Sequence, residues 1–182
     1  MAEHLKEKLN DDLKQAMRGG DTVRRSVIRQ ALAAIQNAEV ARRATLAKAA
    51  LAKLPRAAAD KEPELSNDAI AAIAKQAALE NSDVVSVVAK EARQRQESIE
   101  AFKQGNRPDL AAKEEAELAI LQEYLPKQMT RAEIVAEAKK IIGEAGAKGP
   151  GDKGKVMPKI IAALKGKADG REINEVVTEL LK

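Results

Sequence analysis

Residues 24–43 read RRSVIRQALAAIQNAEVARR. At about 100° per residue, Val23, Val27, Ala31, Ala34, Ile35 and Ala38 fall on one side of a helix, and Ile28 and Leu32 extend that side. Arg25, Arg29, Gln36 and Arg43 gather on another arc about 40° wide. Glu39 is the single acid set against Arg24, Arg25, Arg29, Arg42 and Arg43. The stretch predicts a helix that gives one face to a core and carries a positive strip with almost nothing to neutralise it. Such a strip is either an ordinary solvated face or a surface that meets phosphates.

The rest of the chain suits helix as well. Its 182 residues make one ordinary domain or two small ones. Much of the apolar content is alanine, and Phe102 and Tyr124 are the only aromatics. Small side chains let helices approach closely, whereas a β-sandwich needs β-branched and aromatic residues. Glycine and proline are few and clustered, and the fold class is all-α. The 32 basic and 28 acidic residues leave a formal charge of +4, which favours an anionic partner only weakly. Without cysteine there is no disulfide, thiol nucleophile or thiolate metal site, and the lone His4 cannot build a histidine zinc site. Neither a metal nor a cofactor is expected. No apolar run approaches the roughly 18 residues of a membrane span. MAEHLKEKLNDDL has no signal-peptide pattern, so the expected location is cytoplasmic and no membrane partner is expected.

In chain order, Leu5, Leu9, Leu13, Ala16 and Met17 mark a first helix that Gly19-Gly20 ends, and Asp21 caps the next. The alanine-rich residues after Arg43 prolong that second helix towards Pro55, residues 57–63 read as a flexible connection, and Ser66 caps a helix over 66–80. Asn81-Ser82-Asp83 opens another helix with Val84, Val88, Ala92, Ile99 and Phe102 on its apolar arc. Arg95 falls inside this arc, and across a short turn the next helix places Glu114 inside its own arc and Glu117 at the edge. An internal ion pair of Arg95 with Glu114 or Glu117 is expected, since a lone buried charge costs on the order of several kcal/mol. The other reading, a catalytic carboxylate, has no second group to work with.

Pro126 ends that helix, and Thr130 with Glu133 fits a capping box for the next. Three short amphipathic helices follow. The expected organisation is an N-terminal helical bundle over 1–126, with 44–81 as an insertion, and a C-terminal three-helix module over 127–182. Within the module, GPGDKGKV at 149–156 nearly spells a phosphate loop, but Val156 stands where a hydroxyl should bind magnesium, and the preceding residues read as helix and not strand. Lys148, Lys153 and Lys155 beside glycines at a helix start, with Lys165 and Lys167 further on, still form a second positive concentration. It is either a solvated turn or a set of phosphate contacts. With so few aromatics, any nucleic acid would be met through phosphates and backbone shape, which suits folded RNA.

These segments carry a resemblance. VIRQALAAIQNAEVARR, ARQRQESIEAFKQGNRPDLAAKEEAELAILQEYLPKQM and GKVMPKIIAALKGKADGREINEVVTELL, in this order, resemble the GatB/YqeY family, and specifically a free-standing YqeY-type protein. Residues 44–81 exceed what such proteins usually carry, and Pro158 sits earlier than the family's proline in the short C-terminal helix. The resemblance implies a helical bundle followed by a three-helix module. It also implies kinship with the tail of the B subunit of glutamine-dependent aminoacyl-tRNA amidotransferase, where the tail contacts tRNA and other domains do the chemistry. The family carries the label of carbon–nitrogen ligase activity with glutamine as amido donor, but this chain shows no amidase signature and no catalytic residue. The resulting expectation is a non-catalytic tRNA-binding helical protein, working beside an amidotransferase or an aminoacyl-tRNA synthetase. Arg25, Arg29, Arg43, Lys148, Lys153, Lys155, Lys165 and Lys167 would be its phosphate contacts. The alternative is a helical protein–protein adaptor that binds no nucleic acid.

Overall fold

Every regular element among the described residues is helical, as the alanine-rich, aromatic-poor composition requires. The computed structural model describes residues 5–54, 64–147 and 149–182. His4, the stop at Pro55, the connection over 57–63 and Lys148 lie outside them. In chain order the α-helices are α1 (Leu5–Gly19), α2 (Thr22–Leu51), α3 (Asn67–Ala77), α4 (Asn81–Gln104), α5 (Pro108–Gln122), α6 (Arg131–Glu144), α7 (Lys153–Leu164) and α8 (Gly170–Leu180). A single 3-10 turn, Pro150–Asp152, precedes α7. The chain divides into two compact units, Met1–Val87 and Val88–Lys182, so the expected division at residue 126 falls inside the second.

The first unit is built on α2. Gly20 takes φ +72°, a left-handed turn that costs glycine little, and Asp21 N donates to Ala16 O at 3.0 Å. The Asp21 carboxylate accepts from Arg24 N at 2.9 Å and opens α2. The helix then runs to Leu51 without a break, because the alanines after Arg43 have high helix propensity. Val27, Ile28, Ala31 and Ile35 form its buried face, and α1 and α3 pack on it. Truncating Ile28 or Ile35 to alanine removes a fully buried side chain, which typically costs about 2–5 kcal/mol. α3 begins at its Ser66 cap as expected but stops at Ala77, because Ala78 turns to ψ 132°. Asn81 does not spend its side chain on α4; its Oδ1 accepts from Leu5 N at 2.8 Å and ties the start of α1 to the start of α4.

In the second unit, α4 and α5 join through Gly105-Asn106-Arg107. Asn106 sits at φ 53°, a left-handed position that asparagine tolerates, and a Cβ on Gly105 would meet Ala101 O at 3.3 Å. Arg107 N donates to Phe102 O at 2.9 Å, and Pro108 starts α5 where a missing N–H costs nothing. The buried side of α5 carries Ala111, Glu117 and Leu121. Glu114, placed inside the arc by helical spacing, is half-buried, and Glu117, placed at the edge, is the buried one. A wheel drawn on one helix does not know which flank its neighbour covers.

Helices α6, α7 and α8 enclose their own core: Ile134, Ala138, Val156, Ile160, Leu164, Ile173, Val176 and Val177 are among its buried residues. Thr130 and Glu133 close a reciprocal capping box at the start of α6. Pro158 lies in the second turn of α7, removes one backbone bond, and does not stop the helix before Leu164. Gly166 at φ +76° turns the chain out of α7, and Asp169 caps α8 by accepting from Arg171 N at 2.7 Å and Glu172 N at 3.3 Å.

Candidate nucleic-acid interface

The arginines of α2 divide by what they face. Arg42 Nη1 reaches Asp83 at 3.1 Å, and Arg24 stands 3.7 Å from Asp21. Arg25, Arg29 and Arg43 are exposed, and none of them has an ion-pair or hydrogen-bond partner among the described residues. The only acid of α2, Glu39, is turned away from them. It accepts from Lys6 Nζ at 2.7 and 2.9 Å and from Leu79 N at 3.4 Å, so one carboxylate holds the beginning of α1 and the chain just beyond α3. Removing that acid from the exposed side leaves the strip uncompensated.

Arg25, Ser26, Arg29, Gln30 and Ala33 line an open hollow of about 320 Å³. Their spacing is the signal that sequence reasoning passed over: Ser26 and Gln30 each follow an arginine of the strip and add a hydroxyl and an amide to its rim. Arg43 lies on the same arc, about 27 Å along the axis from Arg25 and about 21 Å from Arg29. Two guanidiniums one turn apart, with neutral donors beside them, can hold a phosphate oxygen by charge-assisted hydrogen bonds.

The lysines of the second unit do not make one cradle. Lys153 Nζ donates to Thr178 Oγ1 at 2.7 Å, across to α8. Lys155 Nζ donates to Asp152 Oδ1 at 2.8 Å, and this carboxylate raises its pKa. About 160° of helix rotation separates Lys153 from Lys155. Lys165 and Lys167 lie beyond the other end of α7, both exposed. Lys159, one turn after Lys155 on the same side and also exposed, is a better companion for it than Lys153. The GPGDKGKV segment follows helix α6 and enters α7 through the 3-10 turn, with Gly149 extended at φ −166°. It does not form the strand–loop–helix of a phosphate loop.

Arg95 and Glu117 are the buried charges named among the described residues, at 7% and 9% exposure. Arg95 Nη2 is 3.2 Å from Glu117 Oε2, while Nη1 lies 3.4 Å from Glu91 O and 3.6 Å from Glu91 Oε2. Glu91 is the member that apolar-arc reasoning missed, although its i,i+4 spacing to Arg95 was visible. Glu114 takes part in neither contact. Bonded to Glu117 across the helices and to Glu91 on its own, Arg95 fixes α4 against α5.

No surface aromatic accompanies the arginines, since Tyr124 is buried and Phe102 half-buried. Among the described residues no group of acids and histidine could hold a metal ion, and no helix is long and apolar enough to cross a membrane. Comparison with protein families matches this sequence to the family described as Yqey-like protein, over residues 6–61 and 64–181. The chain belongs to the YqeY-like family. The match takes in α2 with its NAE segment, the α4–α5 hairpin and the whole α6–α8 module, and it includes most of residues 44–81. A search of curated proteins gave no match. In YqeY-like terms, the NAE acid is Glu39, the acid spent inside the first unit, and the RQES arginine is Arg95, the charge buried in the second.

Proposed function

We propose that this YqeY-like chain is a non-catalytic helical protein that binds tRNA through phosphate contacts and works beside glutamine-dependent aminoacyl-tRNA amidation. The observation that carries the reading is the unpaired Arg25–Arg29 pair around its hollow, with Arg43 on the same strip. Duplex RNA offers rows of phosphates to such a line, and binding of this kind reads shape and charge instead of base edges. Lys155, Lys159, Lys165 and Lys167 are secondary contacts. The partner enzyme would be an amidotransferase or an aminoacyl-tRNA synthetase.

Titration of the intact chain with deacylated and charged tRNA, at several salt concentrations, tests the reading. Affinity should fall steeply as salt rises, since each phosphate contact releases counterions. No binding at about 100 mM salt, together with a co-purifying protein that survives nuclease and salt, would favour the helical adaptor instead.

A further inference from the structure

We infer that α6–α8 is held to α4 by an electrostatic latch, made of Arg93, Asp169, Glu97 and Arg171, that can open while the three helices stay folded. Every buried residue of the α6–α8 core cluster lies between Ile134 and Leu181, so the packing that keeps these helices together does not draw on α4 or α5. The contacts across to α4 are of another kind. Arg93 Nη1 pairs with Asp169, and its Nε donates to Glu97 Oε1 at 2.9 Å. Arg171 Nη1 stands 3.6 Å from the same Glu97 oxygen. The four charges alternate in sign along the chain Asp169–Arg93–Glu97–Arg171, which crosses twice between α4 and the start of α8. Their side chains keep from 31% to 77% of their surface exposed, so dissolved ions reach them.

Asp169 belongs to both sides of this device. Its carboxylate caps α8 through Arg171 N and Glu172 N and meets the Arg93 guanidinium as well. Opening the latch therefore breaks a charge pair without uncapping a helix. The covalent pivot is short. Leu125 N is still bonded to Gln122 O at the end of α5, and Gln128 Nε2 already donates to Gly166 O, so Pro126 and Lys127, both exposed, lie between the two attachments. Lys165 and Lys167 flank the same turn as Asp169, so the state of the latch sets where those lysines are presented.

The chain has no cysteine, which makes the test direct. Spin labels on Ala101→Cys in α4 and Asn174→Cys in α8, both exposed positions, report the distance between the two elements in the full chain, without any nucleic acid. The closed latch gives one narrow distribution in low salt. Raising sodium chloride from about 0.05 to about 1 M shortens the screening length to about 3 Å and should widen the distribution roughly twofold. Asp169→Asn should produce the same widening in low salt, because asparagine is as good a cap as aspartate but cannot pair with Arg93. Arg93→Gln leaves the cap untouched and should act alike, and helix content by circular dichroism should stay unchanged in both variants. A distribution that stays narrow in either variant, or in high salt, overturns the latch. Because no RNA is present, that result leaves the tRNA reading standing.

Discussion

Arg95 Nη2 and Glu117 Oε2 face each other at 3.2 Å between α4 and α5, each residue with less than a tenth of its surface exposed. Removing one partner strands the other charge, which usually costs about 3–5 kcal/mol, while replacing both by apolar groups of similar volume can cost much less. Arg95→Met should therefore destabilise the chain by about 3 kcal/mol in urea unfolding, and adding Glu117→Leu should recover much of the loss. A double variant as damaged as the sum of the two singles would show that the pair is not coupled.

Why Arg95 was legible and its carboxylate partner on α5 was not is a matter of what a single helix records. A charge on an apolar arc announces that something must meet it, because burial alone is too costly. Which carboxylate meets it depends on the flank that α5 covers, and so the buried Glu117 and half-buried Glu114 exchange the roles that spacing gave them. The same limit applies on α2. Periodicity placed Val27, Ile28, Ala31 and Ile35 inside correctly, and the caps at Asp21, Ser66 and Thr130 follow from their side-chain chemistry. Whether an arginine of α2 is spent or available depends on Asp83 and Asp21, acids outside that helix. The lysine-rich segment read as one concentration only because charge was counted along the chain; Asp152 and Thr178 divide it.

The division among the α2 arginines predicts a separation of phenotypes. Arg25→Gln with Arg29→Gln should lower tRNA affinity and reduce the slope of log affinity against log salt by roughly 0.7–0.9 for each phosphate no longer neutralised. Unfolding of that variant should match the parent, because neither side chain has a partner to lose. Arg42→Gln should do the reverse. It loses the exposed pair with Asp83, at a cost of about 1 kcal/mol or less, and leaves the salt slope unchanged. Equal loss of binding in both variants would point to general charge and not to the strip.

Glu39 offers a test of the joint that keeps the strip unneutralised. Glu39→Gln keeps an oxygen for Lys6 and for Leu79 N but loses the ion pair, which is partly exposed and worth about 1 kcal/mol or less. Glu39→Ala also leaves the Leu79 N–H without its acceptor, so it should cost about 1–3 kcal/mol beyond the glutamine variant. Thermal unfolding of the two variants side by side measures the difference. Equal melting temperatures would mean that Leu79 finds another acceptor.

Acid should loosen the second unit at two caps. The Glu133 carboxylate accepts from Thr130 N at 2.7 Å and from the Thr130 hydroxyl at 2.9 Å, and these bonds hold its pKa below the usual glutamate value. At Asp169, burial pushes the carboxyl upward, but Arg93 and the N–H groups of Arg171 and Glu172 outweigh it, and the net shift is downward. A carboxyl that is more acidic in the folded chain contributes stability above its unfolded pKa, and that contribution is lost as the pH falls through the folded value. Both caps should thus be at full strength at neutral pH and weaken from about pH 4 downward, near the ordinary carboxylate values. In urea unfolding, Glu133→Gln and Asp169→Asn should each flatten the fall in stability below about pH 4, since neither has a carboxyl left to protonate there. Thr130→Ala should cost about 1 kcal/mol at neutral pH, the usual worth of an N-cap. It should also shrink the acid-sensitive part, because the lowered Glu133 pKa depends on Thr130. An acid limb of the same depth in all three variants and the parent would place the proton-linked stability elsewhere.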